Sequence, residues 1–180
     1  MDRCRGYARD VTIHDTHPFL DPESERDPLR RFRGRLGGAV SLWTTGAGRD
    51  RAGLTVSSLM VAGGEPGHVL ALVDPDSDLA DALEPGSVVV VQLLAWEHRD
   101  LAEAFAGTAP APGGAFAQAA WSETSWGPVL ADATSWAGAR VESLAEVGWS
   151  RLVSATIEHI ELGAEDQPLT HRRGRYQRPV

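Results

Sequence analysis

The chain has 180 residues, a formal net charge of −8 and a single cysteine, Cys4. An acidic surface repels phosphate backbones, which argues against nucleic acid as a partner, and one cysteine excludes an intrachain disulfide or a cysteine-based metal site. The length suits one well-buried domain, and neither an apolar run of about 18 residues nor the apolar core of a secretory leader is visible; a cytoplasmic protein without a membrane segment is expected.

Residues 1–27 are polar and lack apolar periodicity, so they read as an arm preceding a domain at 28–180. His14 and His17 fall in this arm and read as solvated loop histidines; no metal is expected. DPLRRFRGRLG predicts a short helix from Asp27 to Gly37, with Asp27 as cap, Pro28 at the first helical position and Gly37 at the exit. A strand follows over Ala39–Thr45. A glycine-rich hairpin turn then leads to a second strand, Leu54–Ala62. His68–Asp74 is a third strand, and its apolar run implies burial on both faces. A short helix is predicted between Ser77 and Glu84, ended by Pro85 and Gly86, and SVVVVQLLA (87–95) is a fourth strand.

Glu97–Gly107 has the pattern of an amphipathic helix with Leu101, Ala104 and Phe105 on one face. Thr108–Gly114 is loose and rich in Ala, Pro and Gly. Pro128–Gly148 holds two strands around a turn, Arg151–Gly163 a long strand, and LTHRRGRYQRP forms the tail. The six tryptophans are expected mostly in the core. Six or seven strands joined by turns, without a helix after each, predict a mainly β fold: an antiparallel sheet closed into a barrel, with a few short helices.

The common phosphate, dinucleotide, metalloprotease and nucleophile-elbow motifs are absent, and no pair of carboxylates stands out for acid–base work. The polar cluster in an otherwise apolar strand is Thr55, Ser57 and Ser58. Alternation would put Thr55 and Ser57 on one face, Val56 and Ser58 on the other. Buried hydroxyls need partners, which neighbouring backbone or a ligand rich in donors and acceptors could supply. Ser77, at a helix start, either caps the helix or lies near a phosphate, although Asp76 and Asp78 flank it.

From LTVSSLMVAGGEPGHVLALVD onward the order of features resembles the flavin-reductase-like family of FMN-binding split barrels, over about Leu29 to Tyr176. RRFRGRLGGAVSLWTT matches the opening helix and strand, and Gly53, Thr55, Ser57 and Ser58 match a Gly-x-Thr-x-Ser-Ser signature. Glu65 and Pro66 match an acidic-Pro turn, and Gln92 stands where Asn is usual. Leu101, Ala102, Phe105 and Ala106 fit a helix motif, Pro128, Val129, Leu130 and Trp136 a strand pair, and Gly174–Tyr176 the closing GRY.

The resemblance implies an antiparallel Greek-key split β-barrel and an FMN-binding oxidoreductase that moves a hydride from NADH or NADPH to flavin. It places Thr55, Val56, Ser57 and Ser58 at the flavin ring, Asp74 and Ser77 near its phosphate, and Gln92 at its rim. It further implies a homodimer with each flavin near the subunit interface, and a flavin-dependent monooxygenase as partner. Two departures bear on activity. Trp149 and Ser150 stand where many members carry Asp-His. His171 lies one residue early in the closing motif, leaving Arg172 in its place to attract nicotinamide-nucleotide phosphates. A non-catalytic barrel holding flavin, a deazaflavin or haem is the alternative.

Overall fold

The computed structural model describes residues 27–164 and 167–178; the arm, with His14 and His17, lies outside them apart from Asp27. Helix α1 spans Pro28–Leu36, with Asp27 accepting from the Leu29 and Arg30 amides. Strands β1 (Gly38–Ala39), β2 (Ser41–Thr45), β3 (Ala52–Val56), β4 (Leu59–Ala62) and β5 (His68–Val73) follow, then helix α2 (Asp78–Ala82) and β6 (Val88–Leu93). A 3-10 turn at Trp96–His98 leads into α3 (Arg99–Phe105), and the chain continues through β7 (Trp121–Thr124), β8 (Gly127–Leu130), β9 (Ser135–Val147), β10 (Ser150–Leu162), β11 (Thr170–Arg172) and β12 (Arg175–Gln177).

Seven strands form one antiparallel sheet in the order β3-β2-β6-β9-β10-β5-β4. Strands β3 and β4 are its two opposite edges, yet only Ser57 and Ser58 separate them in sequence. Successive Cα atoms are about 3.8 Å apart, so the two edges must lie close and the sheet must curl into a barrel split at that crossing. The Leu72 amide donates to Ser58 O at 3.1 Å, pinning the crossing to β5.

The second strand is therefore two strands with a crossing between them. A period-two pattern reads the same whether a strand continues or leaves one edge and joins the other. Strand β5 also departs from its expected burial on both faces: Val69, Ala71 and Val73 are buried while Leu72 is exposed. Strand β2, like the shorter β8, is buried along its whole length. Its Trp43 enters the barrel core with Val56, Val89, Val141 and Val153, and its Leu42 enters a second core with Leu101, Phe105, Leu130 and Leu169. That second core lies under α3, where Ala102 is buried and Ala104 is not.

Strands β8 and β9 are the two expected around a turn within 128–148, whereas β7, which pairs with β8, and the β11–β12 hairpin, which pairs with β1, are additions to the predicted elements. Of the tryptophans only Trp43 is buried, and Trp149 is 97% exposed. No described helix is long and apolar enough to cross a membrane.

Candidate functional site

The crossing and the small sheet bring the candidate residues into two groups. In the first, Gly38 of β1 pairs with His171 of β11, and a Cβ on Gly38 would lie 3.3 Å from Ser57 O. Ser57 and His171, more than a hundred positions apart, thus flank one glycine, whose missing Cβ lets the Ser57 backbone approach closely. A Cβ on Gly37 would meet the Arg172 side chain at 3.4 Å, so Arg172 lies against the same glycine pair. The backbone of Gly37, Gly38 and Ser57, with Arg172 and His171 alongside, forms the ledge at the crossing.

The three hydroxyls of the signature behave differently. Thr55 Oγ1 donates to Ala102 O at 2.8 Å, tying β3 to α3. Ser58 Oγ donates to Leu72 O at 2.6 Å. Ser57 is exposed, and among the described residues its hydroxyl has no hydrogen-bond partner; of the three it is the one open to a ligand. Val56 points into the core at 2% exposure, so its side chain offers nothing at the ledge.

Gln92 is fully buried. Its Oε1 accepts from Leu130 N at 2.8 Å and its Nε2 donates to Thr44 Oγ1 at 3.4 Å. Both ends of this amide serve to join β6 to β8 and β2, which places it inside the protein rather than on an open rim.

The second group is the turn after β5. Ser77 Oγ donates to Asp74 O at 2.6 Å and accepts from Ala80 N at 3.2 Å, and Asp74 Oδ1 accepts from the Asp76 amide at 3.0 Å. Ser77 is the N-cap of α2. With Asp74, Asp76 and Asp78 around it, the turn opposes an anion by charge. Register ties this turn to the barrel split: Leu72 bonds Ser58, and the next strand places Arg151 opposite Val73.

His171 is held neutral more strongly than an ordinary histidine, first because burial removes water from the ring and second because Arg33 repels a proton there. Its ring meets Tyr176 edge to face at 5.5 Å. Burial, and then the charge of Glu103, push the Tyr176 phenol upward. His171 and Tyr176 form one wall of a cavity of about 500 Å3 whose other walls include Arg99, Glu103, Thr108 and Arg175.

A larger cavity, about 650 Å3, lies across α3 and is bordered by Glu97, His98, Asp100, Glu103 and Asp132. The ligand atoms of Glu97, His98 and Asp132 fall within 4.8 Å of one another. However, His98 Nδ1 accepts from the Ala95 amide at 3.1 Å, which leaves the ring proton on Nε2, facing Asp132 Oδ2 at 3.3 Å. A metal needs a free nitrogen lone pair, and here Nδ1 is engaged by the Ala95 amide and Nε2 by Asp132 in the 131–134 turn. Neither cavity is lined by Thr55, Val56, Ser57 or Ser58.

The described residues thus define a split antiparallel barrel whose crossing exposes a serine beside a glycine pair. The model of the flavin reductase like domain matches residues 33–179, and the chain belongs to that family. A protein of Ancylobacter novellus named FMN reductase (NADH) RutF is 30% identical over 172 residues, which cover 94% of each chain. A protein of the same name from Bradyrhizobium diazoefficiens is 33% identical over 128 residues, 71% of this chain and 68% of its own. Among solved structures, the Streptomyces globisporus C-1027 NADH:FAD oxidoreductase SgcE6, in complex with NAD and FAD fragments, is similar with a TM-score of 0.76. It is 21% identical, and the match covers 89% of this chain and 96% of that one; this likeness bears on the fold.

Proposed function

We propose that this protein is an NAD(P)H:flavin oxidoreductase that takes FMN on the ledge between Ser57 and His171. The observation that carries the reading is the close approach of Gly38 to the Ser57 carbonyl, which sets the exposed, uncommitted Ser57 hydroxyl beside the strand pair that holds His171. Family membership supplies the reaction class, and the relatives named FMN reductase (NADH) support the choice of flavin and nicotinamide.

FMN held there would supply the hydride-accepting chemistry, with NAD(P)+ as the product on the nicotinamide side. The chain's own residues orient and shield. The Ser57 hydroxyl and the backbone at Ser57–Ser58 meet polar atoms of the ring, while His171 and Arg172 approach from the nicotinamide side. Since His171 stays neutral at pH 7, it offers a hydrogen bond without adding charge. Asp74 and Ser77 sit at the far end, where three carboxylates weaken the hold on a phosphate; this favours flavin that exchanges with solution.

The protein acts as a homodimer in this proposal. The outward positions of β4, β5 and β10 next to the crossing carry Met60, Leu70, Leu72 and Leu152 in register, and Met60 is 68% and Leu72 40% exposed. A second copy covering this apolar face would also wall the open side of the ledge. Reduced flavin must then pass to an enzyme that consumes it, and a flavin-dependent monooxygenase is the proposed partner.

The test is oxidation of NADH and NADPH by purified protein with added FMN, set against FMN alone. Nicotinamide oxidation well above the flavin-only rate is expected, and it should vanish in Ser57→Trp, whose indole fills the ledge, while circular dichroism stays native. Oxidation no faster than the control would overturn the reductase reading. Full activity and flavin affinity in Ser57→Trp would overturn the site.

A further inference from the structure

We propose that Glu103 sets the nucleotide preference of this site. Its carboxylate takes the ribose diol of NADH and turns away the 2′-phosphate of NADPH. The inference rests on the reductase reading and adds to it a substrate choice and the residue that makes it.

The cavity of about 500 Å3 behind His171 is of a size that holds small ligands. It adjoins the ledge through β1, since His171 pairs with Gly38 and Gly38 abuts Ser57. A nicotinamide placed at His171 would therefore direct the rest of its nucleotide into this cavity. Helix α3 contributes Arg99 and Glu103, one turn apart on one face, and the β11–β12 hairpin contributes Arg175 and Tyr176. Arg99 lies over the Trp96 ring at 5.3 Å and pairs with Asp100 at 3.4 Å, which holds the guanidinium along the helix. Two guanidinium groups suit a pyrophosphate.

Glu103 is the one carboxylate among the residues lining this cavity. It is exposed, and among the described residues its carboxylate accepts no hydrogen bond, so its oxygens are open to donors on a ligand. Its charge reaches the Tyr176 phenol across the cavity. Ribose hydroxyls are donors and suit such a carboxylate, as in other dinucleotide sites where an acidic side chain holds the adenosine ribose. A phosphate on that ribose would place two anions side by side in a partly desolvated space.

The experiment compares kcat/KM for NADH and NADPH in wild type, Glu103→Gln and Arg99→Ala, with FMN as acceptor. Wild type should prefer NADH at least tenfold. Glu103→Gln should shift the NADH-to-NADPH ratio at least tenfold towards NADPH with FMN affinity unchanged, and Arg99→Ala should weaken both nucleotides by a similar factor. A wild-type preference for NADPH, or equal effects of Glu103→Gln on both nucleotides, would overturn the assignment. Should the protein oxidise neither nucleotide, the reductase reading falls, and calorimetry decides the site separately. ADP-ribose binding to wild type, with 2′-phospho-ADP-ribose gaining affinity only in Glu103→Gln, supports it; no binding, or no such gain, ends it.

Discussion

At the scale of single residues, partner accounting separates the side chains that build the barrel from those that face a ligand. Gln92 belongs to the first kind, because both ends of its amide are bonded inside a sealed environment. Replacing it with Ala leaves the Leu130 amide unsatisfied and opens a cavity, so Gln92→Ala should lower unfolding free energy by about 2–4 kcal/mol. Urea denaturation measures this, and a stability loss with flavin affinity nearly unchanged is the expected result. Ser57 is the converse: Ser57→Ala should leave the urea midpoint in place and weaken only flavin binding. Sequence pattern could not tell the two apart. A polar residue in an apolar strand is the same signal whether its partners are protein atoms or a ligand.

At the scale of elements, α1 is unusual because none of its residues is buried. Leu29, Phe32 and Leu36 are 71%, 64% and 69% exposed, so the helix contributes little to the core. Its local order depends on the Asp27 cap, at 3.2 and 3.3 Å to two amides. Asp27→Ala should cost α1 about 1 kcal/mol, read as faster hydrogen exchange of its amides with the global melting temperature unmoved. Packing is close at β9, where a Cβ on Gly138 would collide with the Trp126 ring. That ring stacks on His159 and donates to Glu158 at 2.8 Å. Gly138→Ala should displace Trp126 and change its fluorescence. Helix and strand signals were legible in α1, α2, β5, β6 and the long β9–β10 pair because their caps and periods are local. The β11–β12 hairpin was not: its three-residue strands gain their order from pairing with β1 and the Arg173–Gly34 backbone bond, which no local window contains.

At the scale of the whole molecule, stability and assembly both follow from what the barrel leaves uncovered. His171 has its pKa depressed below the ordinary 6.5, so the folded state resists its protonation while the unfolded chain accepts it. The resulting stability is fully present above pH 6.5 and falls as pH drops from there through the lower folded value. Thermal melts should show His171→Gln flattening that part of the profile. A further loss should remain as pH falls below about the ordinary carboxylate value of 4.5, from Glu142 and Glu158, whose pKa values are lowered chiefly by hydrogen bonds from Thr156 and Arg140. For assembly, the proposed dimer should be seen for the wild type in analytical ultracentrifugation, and Leu72→Glu on the exposed face of β5 should convert it into monomers and weaken flavin binding along with it. A variant that remains dimeric with unchanged flavin affinity would place the interface elsewhere.

The linear order of residues was enough for the class of fold, most element positions and the family, because hydrophobic period, helix caps and turn residues act over a few neighbours and survive in any context. Three matters were settled only by the folded chain. The run through Ser57–Ser58 is a crossing between opposite sheet edges, Gln92 is an interior strut, and Glu103 shares a cavity with Tyr176. Each depends on which distant backbone lies alongside. That in turn depends on how a twisted seven-stranded sheet closes on itself, a property of the whole barrel that no short stretch of sequence encodes.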